Sequence, residues 1–158
     1  MGIDPGLALT GWAVIKKLDK PKLISYGCVE TKKDKKQEER LRQIYEEIKK
    51  LIKEYKPEVV CMEKLFFNTN AKTALAVGEA RGVIKVCAAL KKIPLTEFTP
   101  LQIKSCLTGY GRADKNQIQQ MIKSLLNLKE VPKSDDAADA VATALTYCYY
   151  NQSLGGLI

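Results

Sequence analysis

Four carboxylates occupy positions where an unpaired charge would be costly, and together they could support metal-assisted chemistry. Asp4 lies inside a short buried strand, and Glu63 directly follows the apolar strand predicted for residues 58–62. Asp136 and Asp139 are three residues apart, so they share one face of a helix. A carboxylate in such surroundings needs a hydrogen-bond partner, an opposite charge or a metal ion.

Each acidic residue also has a purely structural interpretation. Asp4 could cap the turn that follows it through its own backbone, and Glu63 could be an exposed residue at a strand end. Asp135 and Asp136 would be favoured by the macrodipole in the first turn of a helix. Asp139 is harder to explain this way, because it stands within the tightly packed run Ala-Ala-Asp-Ala-Val-Ala.

The residue content restricts the chemistry that these groups can perform. The chain has no histidine, which excludes Ser-His-Asp and Cys-His catalysis and histidine-ligated zinc. Its five cysteines are scattered without a C-x-x-C pair, so we predict reduced thiols and a cytoplasmic location. A site built from carboxylates alone favours hard ions, Mg²⁺ or Mn²⁺.

The charge balance points to a polyanionic partner. The chain carries 26 Lys+Arg against 18 Asp+Glu, a net charge of +8, which favours nucleic acid, although a lysine-rich solvated surface is the alternative. No apolar run approaches the roughly 20 residues that a membrane span requires, and no signal peptide precedes the first strand, so we predict no membrane partner. Because so few residues precede Asp4, we expect a few native residues to be missing ahead of it.

The elements that must position the carboxylates follow a mixed α/β order. Three antiparallel strands come first, with Thr10-Gly11 in the turn between the first two, and a strand-helix-strand unit and further helices follow. The first predicted strand contains Asp4 and ends before Pro5, and the others span residues 12–15, 22–30, 58–62 and 93–98. The predicted helices span 38–55, 71–90, 114–126 and 134–150, and a further one starts at Pro100 and stops at Gly109. We expect one domain over residues 1–150 and a short tail over 151–158.

Basic and aromatic residues that could contact a nucleic acid lie between Glu63 and Asp136 in the chain. Phe66 is in a loop after Glu63, where an exposed ring could stack on a base. Lys115 stands in a helix's first turn, against the macrodipole, so a phosphate contact competes with a solvated surface position. Arg112 lies in a glycine-containing basic loop, and Lys104 lies in the helix before it.

The helix over residues 71–90 is rich in small residues, including Ala74, Gly78 and Gly82. Such a surface permits close approach to the sheet or to the same helix of a second subunit.

A common location would explain all four carboxylates. If the first and fourth strands are neighbours, Asp4 and Glu63 converge, and the last helix can bring Asp136 and Asp139 over them. Two divalent ions about 4 Å apart would neutralise such a cluster and clamp the oxygens of a phosphodiester. An acidic cluster in a basic protein therefore indicates a metal-dependent nuclease.

The motifs occur in the order of a known family, and the set is more specific than any one motif. They are Gly2-Ile3-Asp4-Pro5-Gly6 with Thr10-Gly11, Glu63 with Phe66, Gly78-Glu79-Ala80-Arg81-Gly82, Lys104, and Asp136-Ala137-Ala138-Asp139-Ala140. Over residues 1–150 the chain resembles the bacterial RuvC family of Holliday-junction resolvases, in the RNase H-like superfamily. The resemblance implies a mixed five-stranded RNase H-like sheet, three antiparallel strands and then parallel ones, flanked by helices.

The resemblance also implies an activity, a cofactor and partners. They are paired symmetric cuts in a four-way junction leaving 5′-phosphates, two Mg²⁺ ions per site with Mn²⁺ as a substitute, a homodimer and the RuvA-RuvB branch-migration complex. Asp4, Glu63, Asp136 and Asp139 match the catalytic and metal-binding carboxylates; Phe66, Lys104, Arg112 and Lys115 are the predicted DNA contacts; Ala74, Gly78, Arg81 and Gly82 form the predicted dimer interface. A related nuclease acting on flaps, single strands or RNA, and a catalytically silent junction-binding protein, are the alternatives.

Overall fold

Five strands and five helices make up the part of the chain that is described. The computed structural model describes residues 1–65 and 71–153, with residues 71–73 and 151–153 described by their backbone alone. The strands are β1 (Gly2–Asp4), β2 (Leu9–Lys16), β3 (Lys22–Glu30), β4 (Val60–Glu63) and β5 (Leu95–Phe98). The helices are α1 (Gln37–Tyr55), α2 (Ala71–Leu90), α3 (Pro100–Thr108), α4 (Lys115–Leu125) and α5 (Asp135–Ser153).

The strands form one mixed sheet in the order β3-β2-β1-β4-β5. The first three strands are antiparallel neighbours, whereas β4 runs parallel to β1, and β5 runs parallel to β4. The predicted fold class is therefore confirmed, and β1 and β4 are neighbours, as convergence of Asp4 and Glu63 requires.

Alternation along the strands divides the core into two layers. Ile3 and Met62 point to the face covered by α1 and α2, where they pack with Ile44, Ile48 and Ile84. Cys61 points to the opposite face, where it packs with residues of α3, α4 and α5. Because the side-chain period of a strand is two, Asp4 and Glu63 also face the α5 side.

Helix α5 lies directly against the sheet because glycines and alanines line the contact. A Cβ atom at Gly2 would overlap the carbonyl oxygen of Ala140, and one at Gly11 would overlap the carbonyl oxygen of Asp136. Ala137, Ala138 and Ala140 are at most 1% exposed. The first turns of α5 therefore pack so closely on β1 and β2 that backbone lies against backbone.

Several predicted boundaries differ from the structure. Thr10 and Gly11 were expected in a turn, but β2 begins at Leu9 and includes both; the hydroxyl of Thr10 donates to the carbonyl of Gly6 at 2.7 Å and closes the preceding turn. Strand β4 begins two residues later than predicted and ends one residue later, so that Glu63 is its last residue. Helix α5 continues to Ser153, past the predicted end near Tyr150. No helix in the described ranges has the length and apolar content to cross a membrane.

Candidate active site

Asp4 and Glu63 lie at the same end of two neighbouring parallel strands. Gly2 pairs with Cys61 and Ile3 pairs with Met62, so the next residues along β1 and β4 are the two carboxylates. The opposite neighbour of Asp4 is Gly11 of β2. Carboxyl ends of parallel strands are where α/β folds collect ligands, and both acids end their strands there.

Helix α5 contributes Asp136 and Asp139 from above this end of the sheet. The backbone of Asp136 contacts Gly11, the residue that pairs with Asp4. The charges of Asp139, Asp136 and Glu63 all act on Asp4, in that order of strength. Asp4 is thus the central member of a four-carboxylate cluster.

Burial and mutual repulsion perturb these acids. Burial, followed by the charges of its three acidic neighbours, raises the pKa of Asp4 from 3.8 to about 7. Burial and the charge of Asp139 raise the pKa of Glu63, although Arg81 and Lys104 oppose the shift. Burial also raises the pKa of Asp139, against the influence of Lys115. The cluster holds more negative charge than its surroundings neutralise.

Lys115 partly compensates for this charge. Asp114 caps α4 through the backbone N–H of Gln117, which sets Lys115 in the first helical turn. Its ammonium lies 3.3 Å from Asp139 and 3.2 Å from Asp135. Burial opposes the shift, but the charge of Asp139 and the bonds to both acids raise the pKa of Lys115. Asp135, to which the sequence assigned no role, is a counter-ion for this lysine.

A cleft of about 170 Å³ opens beside the carboxylates. Glu63 and Asp139 line it together with Lys104 and Lys115, and Pro100, Ile103, Ile118 and Ala142 form its apolar walls. Two carboxylates and two ammonium groups therefore share one concave surface. Such a surface suits a phosphodiester, because the cations attract the phosphate and the acids can hold a metal beside it.

The donor set fits a hard divalent cation. Carboxylate oxygens are the ligands that Mg²⁺ and Mn²⁺ prefer, and a bound cation would offset the burial and the acidic neighbours that raise the pKa of Asp4. Among the described residues, no three potential ligands converge closely enough to hold an ion as they stand. Asp139 is instead paired with Lys115.

The other predicted site residues divide between the cleft, open surfaces and the protein interior. Arg112 is exposed in the loop before α4. Gly78 and Gly82 lie on a face of α2 where an added Cβ would meet nothing within 4 Å. Arg81 is directed into its own protomer and bonds to the backbone of Glu63 and to Glu97. Phe66 lies outside the described residues.

Sequence reasoning missed Glu97 as well as the internal role of Arg81. A charged side chain in a helix of small and apolar residues was the available signal for Arg81. Nothing in the local pattern of β5 distinguished Glu97.

The chain is similar to named junction nucleases over nearly its whole length. The family model "Crossover junction endodeoxyribonuclease RuvC" matches residues 1–147. The protein of that name from Desulforamulus reducens is 47% identical over 159 residues, covering 100% of this chain and 98% of the relative. The one from Alkaliphilus oremlandii is 51% identical over 150 residues, covering 94% of this chain and 92% of the relative.

Solved structures show the same architecture. Thermus thermophilus RuvC in complex with a Holliday junction substrate matches with a TM-score of 0.91 and 33% identity, over 96% of this chain and 93% of that one. The yeast mitochondrial Holliday junction resolvase matches with a TM-score of 0.73 over 99% of this chain and 80% of that one. At 14% identity, the yeast protein shows a shared fold alone.

Proposed function

The chain belongs to the RuvC family of crossover junction endodeoxyribonucleases, and we propose that it cuts four-way DNA junctions by metal-dependent phosphodiester hydrolysis at Asp4, Glu63, Asp136 and Asp139. The observation that carries this proposal is the four-carboxylate cluster at the end of β1 and β4. A related protein, Thermus thermophilus RuvC, has been solved with a Holliday junction substrate. The net charge of +8 suits a DNA substrate.

The metal would be held by the carboxylates around Asp4. Enzymes of this family depend on a divalent metal. The all-oxygen donor set favours Mg²⁺, with Mn²⁺ as a substitute, and the four acids are numerous enough for two ions. A bound ion would supply Lewis-acid stabilisation of the phosphate charge and a more acidic water. Asp4 would hold the metal together with the three acids whose charges act on it.

The basic residues of the cleft would bind and orient the phosphate. Lys104 lies in the cleft beside Glu63, and its charge lowers the pKa of that acid. Lys115 pairs with Asp139 in the DNA-free protein. If Asp139 held a cation instead, the ammonium of Lys115 would retain its bond to Asp135 and could donate to a phosphate oxygen. Arg112, exposed on the adjoining loop, extends the same basic surface.

A homodimer would give the two cuts that a four-way junction needs. Leu75, Val86 and Leu90 are 66%, 51% and 65% exposed, and they follow one face of α2 together with Gly78 and Gly82. This apolar stripe, spaced at three and four residues, is a typical helix-pairing surface. We expect two α2 helices to pair across it and to set two active sites against opposed strands. Partnership with the RuvA-RuvB complex stays a prediction from the family.

Competition among substrates tests this function. Labelled four-way junction, linear duplex of the same sequence and an RNA–DNA hybrid are offered to the protein with Mg²⁺ or with EDTA. Paired symmetric nicks in the junction, only with Mg²⁺ and at least about tenfold faster than any cut in duplex or hybrid, are expected. Equal cutting of the duplex or hybrid would identify a less selective RNase H-like nuclease. Tight junction binding without cuts would identify a silent binder.

A further inference from the structure

Arg81 is a buried cation whose bonds lead to the active site. The residue is 7% exposed. One guanidinium nitrogen, Nη1, donates to the backbone carbonyl of Glu63, and the other, Nη2, donates to Oε1 of Glu97. The guanidinium is planar and rigid, so two bonds from one fork fix the relative positions of their acceptors.

The acceptors belong to different strands. Glu97 lies on β5, opposite Met62 of β4, and its carboxylate also accepts from Lys85, at 3.2 Å in the ion pair. Arg81 therefore ties α2 to β4 and β5 at the level of Glu63. Lys85 is 48% exposed, and its hydrogen bond and ion pair go to Glu97 and not to Glu63, so it binds the same carboxylate without bracing the Glu63 peptide.

The carbonyl of Glu63 lies where the chain leaves the sheet. The next backbone N–H, of Lys64, donates to the carbonyl of Phe98 at 2.7 Å. The peptide between Glu63 and Lys64 is thus held at its oxygen by Arg81 and at its nitrogen by β5. Holding this peptide restrains the backbone of Glu63 and so the direction of its Cα–Cβ bond, from which the carboxylate extends.

We propose that Arg81 is a positioning residue for Glu63: it fixes the last peptide of β4 so that this carboxylate is aimed at the metal-binding cluster. The inference rests on the proposed function of the cluster. Groups that orient metal ligands typically affect metal affinity or activity by about 10- to 100-fold when they are removed. The buried guanidinium cannot also contact a partner across the exposed stripe of α2.

The test is Arg81→Lys, which keeps the charge but cannot reproduce the two-pronged bond. We expect kcat for junction cleavage to fall by about 10- to 100-fold, with a higher Mg²⁺ concentration for half-maximal rate. Calorimetric titration of Mg²⁺ into the DNA-free protein should show matching weaker binding. Junction affinity in EDTA and the sedimentation coefficient should stay unchanged. Lys85→Gln is the matched control and should behave as wild type.

A second pair of variants keeps the test decisive if Arg81→Lys does not fold. Glu97→Ala removes the acceptor that braces Arg81 and should lower kcat at least about fivefold, whereas Glu97→Gln retains an acceptor oxygen and should restore most of the rate. Folded Arg81→Lys, or Glu97→Ala, with wild-type kcat and Mg²⁺ requirement would overturn the proposal. A monomeric Arg81→Lys with unchanged Mg²⁺ binding would assign the residue to the dimer interface instead.

Glu63→Gln, measured alongside, distinguishes failure of the positioning role of Arg81 from failure of the proposed function. If Glu63→Gln abolishes cleavage and Arg81→Lys does not reduce it, the positioning role fails and the function stands. If Glu63→Gln cleaves at the wild-type rate, the proposed function of the cluster has failed.

Discussion

Replacing Asp4 with asparagine should stabilise the metal-free protein while destroying its activity. Burial and three neighbouring carboxylates raise the pKa of Asp4 from 3.8 to about 7. A folded-state pKa above the unfolded value means that the folded protein binds more protons in this range, so its stability falls as pH rises from about 4 to about 7. A pKa rise of this size lowers the free energy of unfolding by about 4 kcal/mol once Asp4 is fully ionised.

Asp4→Asn removes that penalty and should raise the free energy of unfolding by about 2–4 kcal/mol at pH 8. Near pH 5, where Asp4 is still protonated in the folded protein, the gain should be less than half as large. Urea unfolding in EDTA measures both values. Asp19→Asn, an exposed position in the turn between β2 and β3, is the matched control and should change stability little at either pH.

Mg²⁺ should reduce the difference between the two proteins. An ion bound among the carboxylates neutralises the repulsion in the wild type, whereas Asp4→Asn has less charge to offer it. Addition of Mg²⁺ at pH 8 should therefore stabilise the wild type more than the variant. A variant no more stable than wild type in EDTA, or a gain that does not change between pH 5 and pH 8, would refute the electrostatic reasoning.

Three further predictions concern the metal, the packing of α5 on the sheet and the dimer. The Mg²⁺ concentration for half-maximal cleavage should fall as pH rises from about 6 to about 8, because protons compete for Asp4; a constant requirement would contradict this. Gly11→Ala should displace α5, costing about 1–3 kcal/mol in urea unfolding and about 100-fold in cleavage rate, and a wild-type rate would show that the close contact is dispensable. Val86→Glu, on the exposed stripe of α2, should sediment as a monomer and lose paired cutting, whereas Leu18→Glu, exposed elsewhere, should remain dimeric; a dimeric Val86→Glu would exclude the stripe as the interface.

The carboxylate pairs could be anticipated because each is marked by local sequence. Asp4 and Glu63 are conspicuous because each is an acid at the end of an apolar strand. The three-residue spacing of Asp136 and Asp139 places them on one face of a helix. These acids come together if the first and fourth strands are neighbours in the sheet, and β1 does pair with β4. Short-range pattern was sufficient here because each acid stands at the end of a regular element: Asp4 and Glu63 end their strands, and Asp136 and Asp139 lie in the first turns of α5.

The role of Gly11 could not be predicted, because its cause lies far away in the chain. Glycine is typical of turns, so the local sequence around Thr10 and Gly11 predicts a turn. In the structure Gly11 lies within β2, where the carbonyl of Asp136 leaves no room for a Cβ. The contact joins residues 125 positions apart, so no local window contains it.

The link between Arg81 and Glu97 escaped sequence reasoning for a similar reason. A motif of small residues assigned Arg81 to a surface, but the guanidinium turns inward to acceptors on β4 and β5. Helical periodicity identifies the face of a helix, whereas a long flexible side chain can reach across to another. Which strand supplies the counter-ion of Arg81 depends on tertiary packing, which the local sequence does not specify.

Asp4, Glu63, Asp136 and Asp139 are proposed to form one metal-dependent site for junction cleavage. The most direct test is to measure junction cleavage in Mg²⁺ by the four single amide variants, with junction affinity in EDTA measured for each. Every variant should bind the junction at least as well as wild type and cut it about 10²- to 10³-fold more slowly, because each removes a charge that the metal requires. A variant that binds and cuts at the wild-type rate would contradict the claim for that residue, and two such variants would leave no four-carboxylate site.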